Sequence, residues 1–271
     1  VLFVGEHALV QHRMAPGGIG ADQHQQICLV EILIAARHRV GAEGAARAWR
    51  IESGRAGPRG NGRLNRLLAV LDLVHAKNPV DAIVITASGC GTTVKDYGHL
   101  LKHDARHAEA AARIAGMTRD ITEFLAAYDM GPPKRWSSLR VAYHSACSMQ
   151  HGQRITDEPR QLLRNAGFSV VDVPEGHLCC GSAGTYNILQ PEIARQLRDR
   201  KAANIKSVRP DIVATGNIGC IAQLGPAMDF PVAHTVELLD WAYGGPVPRG
   251  LEALARHAHD VPGPEARFLV T

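Results

Sequence analysis

Asp81-Ala-Ile-Val-Ile-Thr-Ala-Ser-Gly-Cys90 and Asp211-Ile-Val-Ala-Thr-Gly-Asn-Ile-Gly-Cys220 are two versions of one phrase: an acid, a short apolar strand and a Gly-Cys turn, with the two cysteines 130 residues apart. One duplication of a unit that long suits a chain of 271 residues, which has room for two domains of ordinary size. Working outward, strands are predicted at 82–86, 139–143, 168–173 and 212–215, each apolar or β-branched and bounded by Gly, Pro, Asp or Asn. A helix is predicted to start at Pro191, because Ile193, Ala194, Leu197, Ala202 and Ile205 fall largely on one stripe, and a second helix is predicted over 105–127. Strands alternating with helices of this length define an α/β chain with mainly parallel sheets. Gly131-Pro132-Pro133 marks a linker within 129–138.

Hydrophobic residues make up 45% of the chain and charged residues 21%, and no apolar run approaches the roughly 20 residues that span a bilayer, so membrane insertion is not expected. The opening Val-Leu-Phe-Val-Gly is too short for a signal-peptide core and lacks a basic lead. The expected location is cytoplasmic, with peripheral association at the inner face of the membrane left open. A start at Val1 in place of Met reads as a fragment or a trimmed product.

The net charge of +4 is unevenly spread: residues 1–76 hold nine Arg, no Lys and six acids, which leaves the remainder close to neutral. That stretch has two aromatics, Phe3 and Trp49, and a Gly-Arg-rich run over 53–66 without hydrophobic periodicity. Arginines without interleaved aromatics are not what single-strand binding uses, so no nucleic-acid partner is expected. Residues 1–76 are predicted to be poorly ordered, and their Ala, Gly and Arg content is what GC-rich codons give when read out of frame.

The cysteines carry the chemistry. Cys147 is followed after 31 residues by Cys179-Cys180-Gly181, and after a further 39 by Cys220. Thiolates are soft ligands for iron–sulfur clusters and zinc, and four is the usual number for either. Each of the three segments follows a predicted strand, and loops at the carboxyl ends of parallel strands share one sheet edge, so the segments can converge. An adjacent Cys-Cys pair favours a multi-atom cluster over a single tetrahedral ion. Gly181 and Gly219 are expected to let backbone amides approach it. His144, His151, His177 and His234 are read as hydrogen-bonding or surface residues and not as ligands.

His144-Ser-Ala-Cys147, His177-Leu-Cys179-Cys180-Gly181-Ser-Ala-Gly-Thr-Tyr-Asn187, Thr215-Gly-Asn-Ile-Gly-Cys220 and Thr235-Val-Glu-Leu-Leu-Asp-Trp241 resemble the cysteine-rich CCG domain of glycolate oxidase (glycolate dehydrogenase) iron-sulfur subunits. Ser88-Gly-Cys90-Gly-Thr-Thr-Val-Lys-Asp-Tyr-Gly98 resembles the end of the preceding CCG domain. The resemblance implies two similar CCG-type domains with mainly parallel sheets, the first degenerate: 1–76 its poorly ordered start, 77–130 its remainder, 138–246 a second domain with a complete cysteine set, and 247–271 a C-terminal tail. A shift of −130 maps Cys147, Cys179 and Cys180 onto Gly17, Trp49 and Arg50, so the first half has lost those thiols. A slipped reading frame over the start is the expected cause of that loss, with family-like sequence expected to resume shortly before Asp81. The family's ferredoxin-like Cys-x-x-Cys-x-x-Cys runs are absent, and Asn217 stands where the family commonly has the first cysteine of a Cys-x-x-Cys pair.

The resemblance implies metal ligands Cys147, Cys179, Cys180 and Cys220, an iron–sulfur cluster of the 4Fe-4S type, and electron transfer in a glycolate-oxidising flavoenzyme complex. No strand-to-helix Gly-x-Gly-x-x-Gly fingerprint is present, so the flavin is expected on a separate flavoprotein subunit and no catalytic residue is assigned here. Heterodisulfide-reductase-like or lactate-utilisation oxidoreduction, and a zinc-bearing docking scaffold, stand as alternatives.

Overall fold

The computed structural model describes residues 82–258 together with four short strands, β1 (Phe3–Val4), β2 (His7–Ala8), β3 (Glu31–Ala35) and β4 (Trp49–Arg50). Apart from those strands, the stretch read as a poorly ordered, frame-slipped start lies outside the described residues, as does the end of the C-terminal tail. The chain divides into two compact units at Ile121/Thr122.

In the first unit β5 (Ala82–Ile85) is buried along its whole length, as a strand covered on both faces must be. It leads into α1 (Ser88–Lys95), α2 (Tyr97–Leu100) and α3 (Ala108–Met117), and then into β6 (Thr118–Asp120). The sheet runs β4-β3-β5-β6 and is mixed: β5 pairs with β6 in parallel, while β3 pairs antiparallel with β4 and β5. Ile83, Ile85, Val94, Tyr97, Ala111 and Ile114 close its core. The single helix predicted over 105–127 is in fact α3, β6 and α4 (Ile121–Ala126) in succession. Ala-rich sequence sustains α3. Thr118 then turns extended, its hydroxyl donating to the Ile114 carbonyl at 2.8 Å. Three residues are too few for an alternating pattern to be legible in sequence.

The second unit is a four-stranded, fully parallel sheet of order β10-β9-β7-β8. Chain order is β7 (Arg140–Tyr143), a π-helical turn (Ser148–Gln153), α5 (Glu158–Asn165), β8 (Ser169–Asp172), α6 (Tyr186–Leu189), α7 (Pro191–Ser207), β9 (Ile212–Thr215), α8 (Ile218–Leu224), β10 (Val232–His234), α9 (Thr235–Ala242) and α10 (Glu252–Ala258). The predicted strands at 139–143, 168–173 and 212–215 lie within a residue of β7, β8 and β9, and the helix predicted from Pro191 is α7. The central strands β7 and β9 are buried, whereas the edge strand β8 is partly exposed. From β7 the chain crosses to β8 on one side, then returns past β7 to β9 and β10 on the other. The topology therefore reverses between β7 and β9, the kind of position at which open parallel sheets bind ligands beyond the carboxyl ends of their strands.

The segment read as a linker is fastened to the second unit. Arg135 donates from its backbone to the Ala242 carbonyl (2.9 Å) and from its guanidinium to the Trp241 carbonyl (2.9 Å), and the Tyr243 hydroxyl donates to the Gly131 carbonyl (3.2 Å). Among the described residues no helix is long and apolar enough to cross a membrane.

Candidate metal centre

Three loops leave the sheet at the β7/β9 reversal and each delivers thiols. Cys147 caps the π-helical turn after β7, the Cys179-Cys180 pair lies in the loop after β8, and Cys220 is the third residue of α8 after β9. All four are free thiols; Cys147 and Cys179 are half-buried, while Cys180 and Cys220 are buried. The last two belong to the apolar core itself, among Ala146, Met149, Ile205 and Leu224. The sulfurs form a row: Cys147 lies within interaction range of Cys179 and Cys179 of Cys180, and the Cys180 Sγ reaches the Cys220 Sγ at 3.3 Å.

The row polarises itself. Hydrogen bonds from Cys147 and Cys180, joined by one from the Gly181 amide, pull the Cys179 thiol down to about 2. A bond from Cys180, helped by the His144 ring, draws Cys220 down to about 5 against the effect of burial. Cys147 and Cys180 are pushed up, in each case first by the bond to a neighbouring sulfur and then by burial. Holding all four as thiolates in this apolar surrounding requires a cationic centre among them. Lys201, fully buried nearby on α7, supplies one fixed positive group, although burial pushes its own pKa down.

Local sequence explains the placement. The Cys-Cys loop is held by α7: the Lys201 Nζ donates to the Glu175 carbonyl at 2.6 Å, and the Glu175 carboxylate accepts from the Arg200 Nε at 2.9 Å and the Asn204 Nδ2 at 2.7 Å. Arg200 and then Asn204 hold the Glu175 carboxyl down at about 2. Gly181 has φ +88°, and a Cβ there would run into the Ala194 carbonyl of α7. Its amide donates to the Cys179 Sγ at 3.3 Å. The Gly219 amide donates to the Asn217 Oδ1 at 2.7 Å, and a Cβ at this position would stand 2.8 Å from the Ser182 Oγ, which would have to move. Asn217 caps α8 in this way and also donates to the Ser148 Oγ at 3.2 Å, tying the Cys220 loop to the Cys147 loop.

Three of the four histidines keep ordinary roles or positions. His234 forms a capping box on α9, accepting from the Val236 amide while its own amide donates to Glu237. The His151 Nε2 stands 3.4 Å from the His177 carbonyl at the surface. His144 is different: it is buried at the end of β7, neither ring nitrogen reaches hydrogen-bond geometry with a protein atom, and its donor atom lies within 4.8 Å of the Cys180 and Cys220 sulfurs. In sequence His144 reads as a hydrogen-bonding or surface residue; its burial at the end of β7 is set by the sheet and is not visible in the local pattern.

Soft thiolates, an apolar shell, an amide aimed at sulfur and unspent buried nitrogen together fit an iron–sulfur centre. Cys147 and Cys179 continue the row beyond the compact His144, Cys180 and Cys220 group, which suits a multi-iron centre better than a single ion.

Comparison with known proteins agrees. Residues 141–225 match the CCG family, described as a cysteine-rich domain. The chain is 40% identical over 181 residues to the glycolate oxidase iron-sulfur subunit of Escherichia coli, covering 63% of this chain and 44% of that protein. It is 32% identical over 148 residues to the probable glycolate oxidase iron-sulfur subunit of Bacillus subtilis, covering 54% of this chain and 33% of that protein. Lactate utilization protein A of Oceanobacillus iheyensis is 28% identical over 62% of this chain and 72% of its own length. The chain thus spans less than half the length of the two glycolate oxidase subunits.

Proposed function

We propose that this chain is the iron–sulfur electron-transfer part of a glycolate-oxidising complex, with Cys147, Cys179, Cys180 and Cys220 holding one cluster of the 4Fe-4S type. The observation that carries the reading is the row of four free thiols gathered from three loops at the sheet's topological reversal. Iron–sulfur centres take up and release single electrons, which is the chemistry such a group supplies when bound. The chain's own residues define its setting. Met149, Ile205 and Leu224 exclude water from the inner sulfurs, the Gly181 amide donates to Cys179, and buried Lys201 offsets thiolate charge. The half-buried Cys147 and Cys179 form the side of the site nearest solvent, where electrons enter or leave.

Removal of hydrogen from glycolate belongs, in this reading, to a flavin on a partner flavoprotein subunit, and the chain works in the cytoplasm or at the inner face of the membrane. A lactate-oxidising complex is the second reading, favoured by the likeness to Lactate utilization protein A over nearly three quarters of that protein. Anaerobic purification tests both. Iron and acid-labile sulfide with broad visible absorption are expected, and a colourless, zinc-loaded chain would refute them together. Reduction of the centre by glycolate or by lactate, once the flavoprotein subunits are added, separates the two substrates.

A further inference from the structure

His144 directly follows β7, near the Cys180 and Cys220 sulfurs, and is 1% exposed. A neutral imidazole carries one N–H donor and one acceptor lone pair, and leaving both unmet in a protein interior carries a desolvation penalty for each. Neither is met by protein here. Other histidines of the chain spend their nitrogens: the His234 Nδ1 accepts from the Val236 amide at 3.1 Å, and the His107 Nδ1 lies 3.0 Å from the Asp104 Oδ1. Two further groups at the same strand ends, the Ser145 and Thr215 hydroxyls, are also buried without a partner. Four such buried atoms, the two His144 ring nitrogens and the Ser145 and Thr215 hydroxyls, thus lie where β7 and β9 end. Asn217, the other polar side chain at this edge, is already committed to the Gly219 amide and to Ser148.

The donor atoms of His144, Cys180 and Cys220 all lie within 4.8 Å of one another, and all three residues are buried. An imidazole nitrogen suits iron alongside thiolates, and being neutral it donates less charge than a fifth sulfur would. We infer that His144 is a nitrogen ligand of the metal centre, bound beside Cys180 and Cys220. This rests on the iron–sulfur reading above. It makes the donor set four sulfurs and one nitrogen, and places the neutral ligand at the buried end of the row. Replacing that nitrogen by a thiolate should lower the midpoint potential.

The test uses the full chain, purified anaerobically from cells grown on 15N-histidine or on ordinary histidine, with iron and sulfide assayed first. Electron–nuclear double resonance of the paramagnetic centre should show one strongly coupled nitrogen whose pattern changes with the isotope. The coupling should vanish in His144→Ala. His144→Cys should retain iron and titrate at a lower midpoint potential. A wild-type chain loaded with iron and sulfide but lacking a strongly coupled histidine nitrogen overturns the ligand assignment and leaves the cluster reading standing. That measurement needs no variant to fold. A coupling that persists in His144→Ala also overturns it. A chain without iron and sulfide overturns both, and the metal assay tells the two failures apart.

Discussion

Cys90 and Cys220 occupy the same local structure: each is the third residue of a helix that follows a fully buried four-residue strand. Their surroundings differ. Cys90 packs against an apolar cluster built from Ile83, Ile85, Val94 and Tyr97. Cys220 meets Cys180 at 3.3 Å and shares the buried group with His144. The helix caps differ too. Asn217 accepts from the Gly219 amide, while Ala87 has no side chain that could cap α1. A Gly-Cys turn is thus a scaffold that serves either packing or ligation, and the neighbouring loops decide which.

The strongest way to break this comparison is to exchange the roles by mutation. Cys180→Ser and Cys220→Ser should each remove most of the bound iron, whereas Cys90→Ser should leave it within the scatter of the assay. Equal iron in all three would erase the distinction between the turns. Gly181→Ala should come next, because it forces a side chain into the left-handed region and against the Ala194 carbonyl. A loss of about 2–3 kcal/mol in denaturant unfolding of the iron-free chain is expected, and an unchanged midpoint would show that the loop relaxes freely.

Capping offers a finer contrast. Asn217→Ala should cost about 1 kcal/mol through the lost cap and should also weaken iron retention, because the same side chain ties the Cys147 and Cys220 loops together. Ala87→Asn should gain a few tenths of a kcal/mol in the first unit and leave iron untouched. Hydrogen exchange at the two helix starts would read both. The smallest effect belongs to Glu175→Gln. The wild-type carboxyl is held at about 2, below its unfolded value near 4.5, so its contribution is present above that value and is lost as pH falls through about 2. A small melting-temperature deficit of the variant at pH 7 should therefore shrink across that acidic window, and a deficit independent of pH would assign the effect to something other than the Arg200 pair.

The two Gly-Cys phrases, the amphipathic stripe of α7 and the three strands of the second sheet were legible because each is a local pattern with its own period. The four thiols were legible as one set because their types and strand-end positions allow little other chemistry. Thr118–Asp120 was not legible as a strand, since only pairing with β5 makes so short a segment extended. Nor does a sequence say that the Gly219 amide donates to the Asn217 side chain, since that bond depends on how α8 is capped.

By itself, then, the sequence determined the α/β class, the spacing of the cysteines and the soft-donor chemistry they offer, because residue type and periodicity are properties of the chain. Only the tertiary structure decided that the sheet reverses between β7 and β9, that Cys180 and Cys220 lie inside the apolar core while Cys147 and Cys179 are half-buried, and that His144 stands beside Cys180 and Cys220 with neither ring nitrogen in a hydrogen bond to protein. Burial and proximity between residues tens of positions apart arise from strand order, and strand order is set by the packing of the whole sheet against its helices.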